Sequence, residues 1–135
     1  MIAGVRKKQL EQAAKLGADQ VIALDDKEAV EKLGFVDAIA DTVGGETAEM
    51  LIGKVKQGGV FGSVLGPVAN AQLHPTVQME AIMAKPDPAE LVELAQDVVS
   101  GKLSIPIDRM IPLADAGEGQ AAAEKGSIGK VLLLA

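Results

Sequence analysis

The sequence predicts an α/β fold built on a parallel sheet, and three observations carry that reading. Short β-like runs alternate with helical patterns along most of the chain, as in successive βαβ units. Several helical segments end on glycines, and one opens on an acid-proline pair, so their boundaries are marked locally. The chain has 135 residues, 48% of them apolar. That is enough for one domain with a sizeable core and hardly enough for two.

Ile2-Ala3-Gly4-Val5 reads as the first strand. Leu10, Ala13 and Ala14 follow at i, i+3, i+4, and Gly17 stands where a glycine would close that helix. Gln20 to Leu24 reads as a second strand. Asp25, with Glu28 three residues on, makes a capping box for a short helix ending near Leu33-Gly34. Phe35 to Ala40 is a third strand running into the turn Asp41-Thr42-Val43-Gly44-Gly45. The next helix carries Ala48, Leu51, Ile52 and Val55 on one face, and Gly58-Gly59 is expected to stop it. Val60 to Leu65 is the fourth strand, and Val77 to Met83 the fifth, with no clear period between Val68 and Thr76.

Asp87-Pro88-Ala89-Glu90 gives the clearest helix start, with an N-cap acid and proline at the first helical position. Leu91, Leu94, Ala95, Val98 and Val99 continue it, and Gly101 closes it. The pattern changes after Lys102. Pro106 and Pro112 flank Ile107–Ile111 and imply an edge strand. An alanine-rich helix and the run Val131–Leu134 complete the chain.

Composition removes several function classes. The net charge of −6 leaves no basic face for a phosphate backbone, so no nucleic acid is expected. Phe35 and Phe61 are the only aromatics, which argues against base-stacking platforms. Cysteine is absent and His74 is the single histidine, so thiolate catalysis, disulfides and multi-histidine metal sites are excluded. No apolar run approaches the ~18 residues of a membrane span, and the first residues lack the pattern of a signal peptide. A cytoplasmic protein without a membrane role is the default expectation.

Parallel sheets bind ligands beyond the carboxyl ends of their strands. Three loops stand at such ends. Arg6-Lys7-Lys8 follows the first strand, where a cation can pair with phosphate and an acid would bind ribose hydroxyls. A solvated first helical turn is the plain alternative, although cations there oppose the helix dipole. Thr42-Val43-Gly44-Gly45 follows the third strand, and its paired glycines allow close backbone approach. Leu65-Gly66-Pro67 follows the fourth. Each of the latter two could equally be a tight turn. Neither G-x-G-x-x-G nor G-x-x-x-x-G-K-[ST] occurs, so these motifs do not build a complete nucleotide site. For acid–base work, His74 reads as a surface or packing residue. Asp41 reads as a capping or pairing group, and Asp115, Glu118 and Glu124 as a solvated helix face. No catalytic residue is assigned.

The order of pieces resembles the medium-chain dehydrogenase/reductase superfamily. The carrying segments are RKKQLEQAAKLGADQVI, VDAIADTVGG, GGVFGSVLG, PDPAELVELAQDVVSGKLSIPIDRMIPLADAGEG and GSIGKVLLL. Their later part is similar to quinone oxidoreductases. The resemblance implies a Rossmann-like doubly wound sheet lacking its first βα unit over residues 1–103. It also implies a tail over 104–135 that returns to a GroES-like catalytic domain. By position, Arg6, with Lys7 beside it, matches the site that selects the adenosine ribose, and a cation there implies the 2′-phosphate of NADP(H). Thr42, Val43, Gly44 and Gly45 match a loop along the adenosine side. Leu65, Gly66 and Pro67 match the loop near the nicotinamide ribose, and Gly129 and Lys130 a C-terminal contact. No metal carries over.

The implied function is the cofactor domain of an NADP-dependent, zinc-independent oxidoreductase. It would pass hydride to quinones or activated alkenes and carbonyls, and this portion would hold NADP(H) weakly. A non-catalytic nucleotide-binding or association module is the alternative, and a methyl transferase fold is disfavoured by the proline-bounded tail. In the doubly wound order 3-2-1-4-5-6 the central strand would be missing. Met1–Val5 and Phe35–Ala40 would then expose edges, unless they paired with each other. Val77–Met83 corresponds to an outer strand that joins subunits in the family, so a homodimer or larger assembly is expected.

Overall fold

The computed structural model describes residues 1–126 and 129–135; Ser127 and Ile128, inside the GSIGKVLLL segment, lie outside the described residues. Two compact units divide the chain, Met1–Lys85 and Pro86–Ala135.

In the first unit, β1 (Ile2–Val5) pairs in parallel with β2 (Gln20–Ala23), with Ile2 opposite Gln20 and Val5 opposite Ala23. Between them runs a broken helical segment: a 3₁₀ turn at Lys7–Gln9, α1 (Leu10–Ala13) and a second 3₁₀ turn at Ala14–Leu16. Gly17 ends it at φ +84°. Helix α2 (Lys27–Lys32) follows β2, but its cap is Asp26, whose carboxylate accepts from the Ala29 amide at 3.2 Å. Asp25, the residue expected to cap it, instead accepts from the Lys7 amide at 2.7 Å. A contact to the turn after β1 has taken that carboxylate out of the capping position.

A second sheet contains β3 (Val36–Asp41), β4 (Val55–Ser63) and β5 (Gln78–Ala81), all parallel and in the order β3-β4-β5. Helix α3 (Gly45–Ile52) joins β3 to β4 and ends at Gly53, five residues before the predicted stop at Gly58. The reason is tertiary. The Lys54 amide closes the helix on the Leu51 carbonyl, and the Lys54 carbonyl then accepts from Val36. Pairing with β3 therefore claims Val55 for the strand, although its spacing suits the helix. Gly58 and Gly59 occupy an irregularity in β4, where register jumps from Val36–Val55 to Ala38–Val60. Gly58 takes φ +77°, a conformation glycine adopts at little cost.

The core of this unit joins Val30, Ala48, Leu51, Ile52, Val55, Phe61 and Val68. Ile52 and Phe61 are completely buried, so α3 and β4 meet at its centre. With β1 and β2 read as strands 2 and 3 of the doubly wound order, and β3 to β5 as 4 to 6, both sheets follow 3-2-1-4-5-6. No strand among the described residues stands between β1 and β3, and these two do not pair.

In the second unit, α4 (Pro88–Val99) begins as the sequence predicts, with the Asp87 carboxylate accepting from the Ala89 and Glu90 amides. β6 (Ile107–Pro112) pairs in parallel with β7 (Lys130–Leu134), and α5 (Ala116–Glu124) connects them. Among the described residues this sheet has two strands, so β6 is an edge, as suits Pro106 before it and Pro112 at its end.

Candidate functional site

The carboxyl ends of β3 and β4 form a cleft of ≈ 180 Å³ in the first unit. Gly44 and Gly45 line it from one loop, Leu65, Gly66 and Pro67 from the other, and Asp41 and Ser63 lie at its base. Sequence reading separated these loops; the fold brings them together because β3 and β4 are neighbours in register, with Asp41 opposite Ser63.

Asp41, the last residue of β3, is buried. Its Oδ1 accepts from the Val43 and Gly44 amides, each at 3.0 Å, and its Oδ2 accepts from the Ser63 hydroxyl at 2.8 Å. Ser63 Oγ in turn accepts from the Leu65 amide at 3.1 Å. Burial is the largest influence on the Asp41 carboxyl and pushes its pKa up. The Gly44 and Val43 amides and the Ser63 hydroxyl together outweigh it, and Asp41 is held below the ordinary carboxylate value. It is therefore an anion at neutral pH with its acceptors engaged. That makes it a structural anchor rather than a proton donor, as its position at a strand end suggests.

The loops also touch directly. Gly44 sits at φ +70°, and a Cβ there would lie 2.7 Å from Leu65 Cδ1, so no larger residue fits without moving Leu65. Gly45 and Gly66 also have positive φ, but a Cβ at either would meet nothing within 4 Å. Their backbones are thus open to a ligand. Thr42 is exposed and outside the lining. Val43, also exposed, contributes its amide to the Asp41 anchor.

Arg6 and Lys7 stand immediately beyond β1, exposed, and are not part of this cleft lining. Their backbones are fixed, Arg6 N donating to Gln9 Oε1 at 3.1 Å and Lys7 N to Asp25 Oδ1 at 2.7 Å. Gly129 and Lys130 belong to the second unit. There the Lys130 amide donates to the Pro106 carbonyl at 2.8 Å, and a Cβ on Gly129 would lie 2.6 Å from that same oxygen. These two residues close the β6–β7 pairing. His74 is half-buried with Cε1 against Gly53, a packing position. Asp115, Glu118 and Glu124 are exposed.

Sequence reading missed Ser63 and the cleft residues Ala48, Glu49, Val68 and Ala69. The sequence marks only the aspartate half of this pair. Asp41 followed by Val43 and Gly44 is an aspartate turn, and a hydroxyl at the end of the neighbouring strand is its natural second donor. The lining contains Asp41 and Glu49 but no cation. It suits hydroxyl-bearing or uncharged parts of a ligand, and a phosphate would need Arg6 or Lys7. A volume of ≈ 180 Å³ is below the ~300–1,000 Å³ of a whole-ligand pocket, so the cleft has room for only part of a larger ligand.

Parallel sheets in doubly wound order, with glycine-lined loops at their carboxyl ends, define a Rossmann-like α/β protein. The family model described as zinc-binding dehydrogenase matches residues 16–133, and the chain belongs to that family. Among solved structures, it is similar to the quinone oxidoreductase from Coxiella burnetii, with TM-score 0.80 and 25% identity over 98% of this chain and 44% of that one. An NAD-dependent alcohol dehydrogenase superimposes with TM-score 0.76 and 22% identity, covering 99% of this chain and 43% of that one. A mycobacterial protein complexed with NADPH gives TM-score 0.71 and 20% identity over 99% and 48%. The chain thus spans less than half the length of these structures. No curated protein matches the sequence. Among the described residues no group of three or more His, Cys, Asp or Glu could hold a metal ion. With one histidine and no cysteine, a zinc site built on several His or Cys ligands cannot come from this chain alone.

Proposed function

We propose that this chain is the cofactor-domain part of an NADP-dependent, zinc-independent oxidoreductase acting on quinones or activated alkenes and carbonyls. Residues 1–103 are the partial NAD(P)-binding Rossmann domain, and 104–135 the segment that returns to a catalytic domain. The observation that carries the cofactor assignment is Arg6, an exposed cation immediately beyond β1. At that position an acid would bind the ribose hydroxyls of NAD. Family membership and the NADPH complex of a structural neighbour support the reading.

When bound, the nicotinamide supplies the hydride; this chain's residues bind and orient. Arg6, with Lys7, pairs with the 2′-phosphate. Thr42, Val43, Gly44 and Gly45 follow the adenosine side. Leu65, Gly66 and Pro67 hold the nicotinamide ribose through backbone left open by the glycine. Gly129 and Lys130 contribute a further contact. No residue in the cleft is assigned as a proton donor. No helix among the described residues is long and apolar enough to cross a membrane, and we place the protein in the cytoplasm.

Fluorescence titration with NADPH and NADH tests this directly, because the chain has no tryptophan to interfere. Binding should be weak but NADPH-biased. A charge-assisted phosphate contact is worth about 1.5–3 kcal/mol, or about one to two decades in affinity. Arg6→Asp should erase that bias. Equal or tighter binding of NADH by the wild type, or an unchanged preference in Arg6→Asp, would overturn the assignment. Absence of any nucleotide binding favours the association module, to which the small cleft and the unpaired edges of β1 and β3 also point.

A further inference from the structure

We propose that Asp41 and Ser63 are positioning residues that lock the loops beyond β3 and β4 into a single unit, so that neither loop opens alone. The inference rests on the cofactor reading for what the unit holds. Its geometry is independent of that reading. One carboxylate spans both loops: Oδ1 takes the Val43 and Gly44 amides of the first, and Oδ2 takes the Ser63 hydroxyl at 2.8 Å. Ser63 passes the connection to the second loop by accepting from the Leu65 amide at 3.1 Å.

Both side chains are almost wholly buried, at 5% and 1% exposure. Water is therefore poorly placed to replace either partner, and a lost bond leaves a buried polar group unsatisfied. The loops approach each other a second time at Gly44 and Leu65, where a Cβ on Gly44 would lie 2.7 Å from Leu65 Cδ1. Asp41 and Ser63 are opposite each other in the β3–β4 register, so the connection stands on paired strand residues. The open glycines Gly45 and Gly66 follow the anchored residues in each loop. Fixing the anchors fixes the separation of the two backbones that face the ligand.

Ser63→Ala tests this. It removes one oxygen, leaves the Asp41 carboxylate in place, and touches neither Val43 nor Gly44. Amide hydrogen exchange resolved by residue, without cofactor, is the primary readout. We expect Leu65 to exchange faster and, across the cleft, Val43 and Gly44 to accelerate by about tenfold, with Ile52 unchanged. NADPH affinity should fall by a similar factor, since a mobile loop must be ordered on binding. Acceleration confined to Leu65 would show that the loops move independently and would overturn the proposal. Equal acceleration of Ile52 and the other core amides would show simple destabilisation and would overturn it too. A wild-type chain that fails to bind NADPH overturns the cofactor reading instead, and the exchange of Val43 and Gly44 then decides the coupling by itself.

Discussion

Phe61→Ala is expected to lower the unfolding free energy by about 3–5 kcal/mol, while Phe35→Ala changes it by no more than about 0.5 kcal/mol. The chain's two aromatic residues differ in where the sheet puts them. Phe61 lies in β4, opposite Ile39 on one side and Met79 on the other, and is completely buried against α3. Removing its ring leaves a cavity at the point where helix and sheet meet, and Ile52, also fully buried, cannot follow without leaving its own contacts. Phe35 precedes β3 and is 69% exposed. Urea unfolding followed by far-UV circular dichroism measures both. Equal losses for the two substitutions would mean that β4 is not the centre of the core.

The second large effect concerns association. Among the described residues β1 pairs only with β2, β3 only with β4, and β5 has one neighbour. Each therefore presents an unpaired edge, and such edges are templates for joining chains. The simplest internal remedy, direct pairing of β1 with β3, is not taken. Apolar surface adds to the drive. Ile2 is 40% exposed on β1, and α4 leaves Leu91, Leu94 and Val99 in contact with solvent and buries none of its residues. We therefore expect a homodimer or larger assembly. Size-exclusion chromatography with light scattering over about 1–100 μM covers the affinities at stake, roughly 5 to 8 kcal/mol. A monomer throughout that range would remove the edges as an association surface.

The parts of the fold legible in the sequence are those fixed by local chemistry. The Asp87-Pro88 start of α4 carries its own hydrogen-bond acceptor and a pre-set φ, and Gly17 its left-handed turn, so neither depends on distant residues. The misread boundary at Gly53 depends on them. Val55 satisfies both helical spacing and strand pairing, and the choice is made by Val36, which reaches across to the Lys54 carbonyl. Asp25 and Asp26 are a similar case. Two adjacent acids could each cap α2, and the Lys7 amide, which lies far back in sequence, selects which one does.

The candidate site divides in the same way. Its glycines could be picked out singly, because a strand followed by paired glycines marks a close backbone approach. Their convergence could not, because it follows from β3 and β4 lying side by side. Ser63 was hidden for the same reason. As an isolated serine at the end of a strand it has no distinctive pattern, and its role appears only when Asp41 is placed opposite it.

If the loops beyond β3 and β4, together with the turn after β1, form a cofactor-binding surface, NADPH must perturb their backbone. Backbone amide chemical shifts followed during NADPH titration test this most directly. Saturable shifts are expected at Gly44, Gly45, Leu65 and Gly66 and at Arg6 and Lys7, with NADH moving the loop amides but leaving Arg6 and Lys7 nearly still. Saturable shifts confined to residues outside these loops, or none at all, would contradict that assignment.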